Sequence, residues 1–229
     1  MNEKALTISE ILFERFCAEN NVTYCRIPHA REKGIKTPDY KITTNGIKSI
    51  VEVKQLDPES PDDKKRTKQL EERGETEVYQ NKVRHRIRKK IDDAMPQLKK
   101  WTKSTTPGLL FMYSNLPLDG RFIEPRYILE AMYGREASEI ILPNSFTAEP
   151  YIRGTFFGED RGVSITHNKS LSAIVSIFED WDGYELHAHF YHNIFTKCIF
   201  DPDWLRRNRV KHFSLADPSM KRYSEWIEI

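Results

Sequence analysis

Asp39, Glu52 and Lys54 are the residues of this chain whose types and spacing best suit chemistry. Between the two acids lies Asn45-Gly46, a pair that accepts positive φ at both positions and favours a two-residue hairpin turn. Such a turn sets the register of the strands it joins. Counting outward pairs Thr44 with Ile47, Ile42 with Ser49, Tyr40 with Val51 and Asp39 with Glu52. Facing carboxylates repel and weaken a sheet, and a divalent cation held between them would remove the repulsion. Lys54 follows Glu52 by two residues and so shares its strand face. The opposite face, Tyr40, Ile42, Val51 and Val53, is apolar and suits a core. The expectation is a metal site on a half-buried hairpin.

Several elements must position that hairpin. Thr7 and Glu10 form a capping-box pattern before a helix of roughly residues 8–20, whose expected buried side is Ile8, Ile11, Leu12 and Phe16. Glu14 falls at the margin of that side. A short strand, Val22 to Ile27, and a basic turn-rich loop lead into the hairpin. Residues 57–77 are almost entirely charged, with Pro58, Pro61 and Gly74 as breakers, and read as an excursion from the core. Val83, Ile87, Ile91, Ala94, Leu98 and Trp101 then mark one face of a long helix, which Pro96 is expected to kink. An apolar strand at 108–113 and a helix at 125–133 follow. Farther on, 171–178 and 184–191 read as strands, and the tail shows no clear periodicity.

Thr37-Pro38-Asp39 at a strand start, Val51-Glu52-Val53-Lys54 at a strand end, and this element order resemble the PD-(D/E)xK nuclease superfamily. The resemblance covers roughly the first half of the chain, and its motifs are short and degenerate. It implies an α/β fold with a restriction-endonuclease-like αβββαβ core around a mixed central sheet, over residues 1–120. Residues 121–229 would be an α+β extension that completes the sheet or supplies substrate or dimer contacts, all within one compact domain. It implies a Mg²⁺-dependent endonuclease acting on DNA, with Mn²⁺ able to substitute, and a homodimer as partner state. Asp39 and Glu52 match the two acidic positions, Lys54 the lysine, Glu14 the acid of the first helix, and Gln97 a glutamine that some members place on the helix after the motif. The residue types suit that chemistry in their own right. Mg²⁺ takes oxygen ligands and keeps several waters, so few carboxylates suffice. Asp39 and Glu52 would hold it with the Val53 carbonyl, Glu14 would hold a second ion or a metal-bound water, and Lys54 would orient the attacking water or stabilise charge on the phosphate.

The bland counterpart is that Glu52 and Lys54 form a solvated pair on an exposed sheet face. Gln97, at the edge of the apolar stripe, either needs a polar partner or reaches water. Lys82, Arg84, Arg86, Arg88, Lys89, Lys90, Lys99, Lys100 and Lys103 outnumber Asp92 and Asp93 around the long helix. They suit a phosphate backbone, with Lys82, Arg84, Arg88, Lys89 and Lys99 as contacts, or else form an ordinary solvated face. His187 and His189 share a strand face and could meet one metal ion, although Leu186, Ala188 and Phe190 opposite explain the strand without one. Trp181 and Trp204 could stack on bases or simply pack.

The 229 residues suit one sizeable domain, and 38% hydrophobic with 31% charged residues still permits a core. A net charge of +2 is too small to argue globally for nucleic acid. Cys17, Cys25 and Cys198 are odd in number and widely spaced, so no disulfide framework or zinc ribbon is expected. With no signal-peptide pattern and no apolar run long enough for a membrane span, a cytoplasmic setting is expected. Two other classes remain beside the nuclease: a nucleic-acid-binding module that keeps the fold without turnover, and an interaction protein whose hairpin carboxylates are incidental. DNA against RNA, strandedness and sequence preference are not encoded legibly.

Overall fold

A computed structural model of the protein describes residues 5–28, 36–58, 72, 83–103, 105–116, 122–142, 149–180 and 182–229. Among these, the first half runs α1 (Ile8–Glu19), β1 (Thr23–Arg26), β2 (Tyr40–Thr44), β3 (Ile47–Leu56), α2 (Val83–Thr102) and β4 (Gly108–Ser114). Then follow α3 (Pro125–Tyr133), β5 (Glu136–Ile141), β6 (Tyr151–Phe157), β7 (Ala173–Glu179), β8 (Leu186–His192), β9 (Val210–Leu215) and β10 (Trp226–Glu228). Among the described residues the fold is α/β, with three α-helices around a mixed eight-stranded sheet ordered β1-β2-β3-β4-β7-β8-β9-β10. The pairs β3–β4, β4–β7 and β8–β9 are parallel and the others antiparallel. Strands from residues 121–229 thus continue the sheet that the first half begins.

Local signals account for the elements near the hairpin. Thr7 and Glu10 do form a reciprocal capping box on α1. The buried stripe of α1 is Ser9, Leu12, Phe13, Phe16 and Cys17, whereas Ile8 and Ile11 are exposed. The expected face was rotated: spacings of three and four centred on Phe13 and Phe16 put both isoleucines on its flank. Asn45 and Gly46 adopt φ of 48° and 80°, and the β2–β3 ladder has the expected register, from Thr44↔Ile47 to Tyr40↔Val51. Pro125 opens α3 at its first turn, where its missing N–H costs nothing.

Both faces of the sheet are covered. On one side α1 packs Phe13 and Phe16 against Tyr40, Ile42, Val51, Val53 and Phe111. On the other, α2 and α3 pack Ile87, Ile91, Leu98 and Ile128 against Ile50, Leu56, Leu110 and Met112. The hairpin is therefore not half-solvated. Alternation along β3 sends Val51 and Val53 toward α1, and sends Glu52 into the row of Ile50 and Leu56 beneath α2. All seven residues of β4 are buried, as its continuous apolar run requires.

Residues 57–77 lie outside the described residues apart from Asp57, Pro58 and Glu72. Strands β5, β6, β9 and β10 had no legible signal: β5 and β6 are mostly exposed and broken by a register shift at Glu139/Ile140, and β10 has three residues. The three cysteines are free, and no described helix is long and apolar enough to cross a membrane.

Gly108 starts β4 where α2 and the 168–172 turn converge. A Cβ there would meet the Ser170 carbonyl oxygen at 2.2 Å and Thr102 Cγ2 at 3.0 Å. Backbone cannot yield as a flexible side chain does, so Gly108→Ala is expected to lower stability by roughly 1–3 kcal/mol. Urea unfolding of the two proteins checks this, and equal midpoints would contradict it.

Candidate functional site

Asp39 stands just before β2, beyond the last ladder pair Tyr40↔Val51. Its carboxylate does not simply confront Glu52 but folds over the strand end, where Oδ2 accepts the Val53 N–H at 2.8 Å. Val53 itself turns its side chain into the α1-side core. The Glu52 side chain is 0% exposed. Its Oε1 pairs closely with Lys54 Nζ and accepts Gln97 Nε2–H at 2.8 Å. Gln97 thus has the polar partner its position demanded, and the picture of Glu52 and Lys54 as a solvated surface pair is corrected.

Helix α2 brings the other wall. Ile87, Ile91, Ala94 and Leu98 fill the core, while Lys90, Asp93 and Gln97, spaced by three and four, turn toward the hairpin. With Asp39, Glu52 and Lys54, and with Lys36 and Thr37 ahead of β2, they line a pocket of about 530 Å³. Lys36, Thr37, Lys90 and Asp93 had not been singled out for this role. The spacing of Lys90, Asp93 and Gln97 was the available signal, masked by the surrounding run of basic residues.

Burial pushes the Glu52 carboxyl up to about 7. The Asp39 charge adds to the rise, and Lys54 opposes it without offsetting it. Two buried oxygens, Glu52 Oε2 and Gln97 Oε1, have no hydrogen-bond partner among the described residues. Buried polar atoms are ordinarily satisfied, and both residues line the pocket.

Glu14 and Val53 do not line the pocket. Glu14 lies with Tyr40, whose side chain belongs to the α1-side core, and is held by Tyr40 Oη at 2.8 Å, Arg26 Nη2 at 2.6 Å and Tyr24 Oη at 3.2 Å. Burial raises its carboxyl, but Tyr40 and Arg26 outweigh that and hold it below the usual range. The expected place of Glu14 beside the metal is therefore corrected: α1 packs on the other face, and β1 supplies the cation that holds it. The expected Val53 carbonyl ligand has no counterpart in the pocket lining.

The basic stripe divides. Lys89 and Lys99 are exposed. Arg84 is buried, because positions 84, 87 and 91 share the core stripe, and burial lowers its pKa. Arg88 donates to the Asp160 carbonyl at 2.6 Å and pairs with Asp92. Arg84 is thus withdrawn from the expected phosphate contacts and Arg88 is engaged within the fold. Lys82 lies outside the described residues.

His187 stacks on Phe178, and His189 packs among Phe122, Phe178 and Phe213, where burial lowers its pKa to about 4. His187 lies with Asp180 and Glu185, their ligand atoms within 4.8 Å of one another, and Glu185 is paired with Arg209. Trp204 packs on Phe200 in the α1-side core, and Trp181 is outside the described residues.

Folding raises the Glu52 carboxyl from its ordinary 4.5 to about 7, so the folded chain holds that proton more tightly than the unfolded chain. Its contribution to stability is present below the unfolded value and is lost as pH rises through about 7. Glu52→Gln removes this titration while keeping the size. In chelator, the variant is expected to gain up to about 3 kcal/mol on wild type between about pH 5 and about pH 8. Urea unfolding at both pH values checks it, and a pH-independent difference would contradict it.

Set against known proteins, the chain matches no family model, no curated protein and no solved structure.

Proposed function

We propose that this chain is a metal-dependent nuclease of the PD-(D/E)xK type, with a restriction-endonuclease-like core, hydrolysing phosphodiester bonds of DNA as an endonuclease. The observation that carries this is the convergence of Asp39, Glu52, Lys54 and Gln97 on one pocket that holds two buried oxygens without partners among the described residues. The donor set fits a hard cation. Carboxylate and amide oxygens suit Mg²⁺ or Mn²⁺, and among the described residues neither Cys nor His lines the pocket to favour a softer ion. The order of described elements in the first half, with its mixed sheet, supports the same assignment.

Asp39 and Glu52 are the residues that would hold the ion, which when bound supplies charge neutralisation at the phosphate. Gln97 fixes the Glu52 carboxylate by donating to Oε1. That leaves Oε2 as the oxygen to offer. Lys54, anchored to the same Oε1, presents an ammonium at the pocket, where it orients the attacking water and meets the charge that grows on the phosphate oxygens. A carboxylate raised toward neutrality by burial and by a second acid gains from a cation, because the cation favours its charged form.

Wild type is expected to cut plasmid DNA with Mg²⁺ or Mn²⁺ and to stop in chelator. Asp39→Asn, Glu52→Gln and Lys54→Ala are each expected to lose on the order of 100-fold or more. Mg²⁺ is also expected to raise the melting temperature of wild type and not of Asp39→Asn, since a ligand that binds the folded state stabilises it. Gel cleavage assays and thermal melts read the two effects. A folded wild type that neither cuts nor shifts with either metal would overturn the proposal.

A further inference from the structure

The pocket has a second pole that the carboxylates do not explain. Lys90 lines it from α2, half-buried, and makes no ion pair or hydrogen bond among the described residues. Lysine is costly to bury without a partner. Its neighbours Lys89 and Lys99 are exposed, so this is no ordinary member of a solvated basic face. Burial and the Lys54 charge destabilise its ammonium, and Asp57 and Asp93 nearby do not make up the difference. Lys36 lines the same pocket. A cation that is partly dry, shares its pocket with Lys36 and Lys54, and has no direct ion pair among the described residues is suited to an anion from outside the chain.

We propose that Lys90 binds a backbone phosphate of the nucleic acid substrate in this pocket, adjacent to the phosphate that meets Asp39, Glu52 and Lys54, with Lys36 as its helper. This rests on the nuclease reading for the identity of the anion, and it assigns the substrate as a polyanion presenting at least two neighbouring phosphates. The role is substrate binding. The loss of Lys90 should fall on affinity and KM, while the bond-breaking apparatus of Asp39, Glu52 and Lys54 stays in place. One site-directed phosphate contact also sets the salt dependence, because each neutralised phosphate releases counterions.

The test compares Lys90→Gln, Lys90→Arg and the control Lys221→Gln, an exposed lysine outside the pocket lining. Binding of a fluorescein-labelled twelve-base DNA, single-stranded and duplex, is measured by anisotropy in Ca²⁺ across a salt series. Cleavage of the same oligonucleotides is measured in Mg²⁺. Lys90→Gln is expected to weaken binding by about tenfold or more, and to flatten the slope of log affinity against log salt by ~0.7–0.9. It should raise KM with little change in kcat. Lys90→Arg should recover much of the affinity, and Lys221→Gln should change it less than about twofold, as expected of a screened surface charge away from the pocket. Thermal melts confirm that each variant is folded. If Lys90→Gln binds like Lys221→Gln with an unchanged salt slope, the proposal is overturned, whether or not the protein cuts. If wild type never cuts yet Lys90→Gln loses affinity and slope, the phosphate site stands and the nuclease reading falls.

Discussion

The burial of one carboxylate, Glu52, constrains the rest of this fold. It occupies a row that Ile50 and Leu56 otherwise make apolar, under a helix whose own inward stripe is apolar. A carboxylate there without partners would cost several kcal/mol. Its tolerance depends on three things from different parts of the chain: Lys54 two residues on, Gln97 from α2, and a pocket open beside it. The Asn45-Gly46 turn sets which side of the sheet Glu52 faces, and α2 sets how deeply it lies.

The two faces of the hairpin divide their duties. Toward α1, the packing of Phe13 and Phe16 on Tyr40 and Phe111 forms the rigid side, and Glu14 closes it by joining Tyr40, Tyr24 and Arg26. Toward α2, the packing is interrupted at Glu52 by polar groups and a cavity. One strand therefore supports a dense apolar layer and a polar pocket at once, because successive side chains point to opposite sides. The parallel neighbour β4, buried on both faces, holds β3 from its other edge.

What could be read from the sequence was what short-range rules govern. The hairpin register, the capping box of α1, the long α2 and the proline start of α3 all follow from signals a few residues long. The convergence of Gln97 on Glu52 was half legible, since its helix-edge position demanded a partner without naming one. The burial depth of Glu52 was not legible, because it depends on α2 crossing a strand 45 residues earlier. Glu14 misled because its neighbours Tyr24 and Arg26 on β1 act across the α1 side of the sheet. Arg84 misled because its charge concealed that it shares a helix stripe with Ile87 and Ile91. The far end of the sheet was missed where strands are short or exposed, as in β10, and offer little alternation to detect.

The Asn45-Gly46 turn has a further consequence for how the chain reaches this structure. Slipping the hairpin by one residue would exchange the faces of β3. Val51 and Val53 would then line a wet pocket, while Glu52 and Lys54 would be driven among the phenylalanines beneath α1. Such a misregistered hairpin would strand a charge in an aromatic layer, where nothing resembling Gln97 waits to receive it. The same acid that lines the pocket thus also disfavours the alternative pairing.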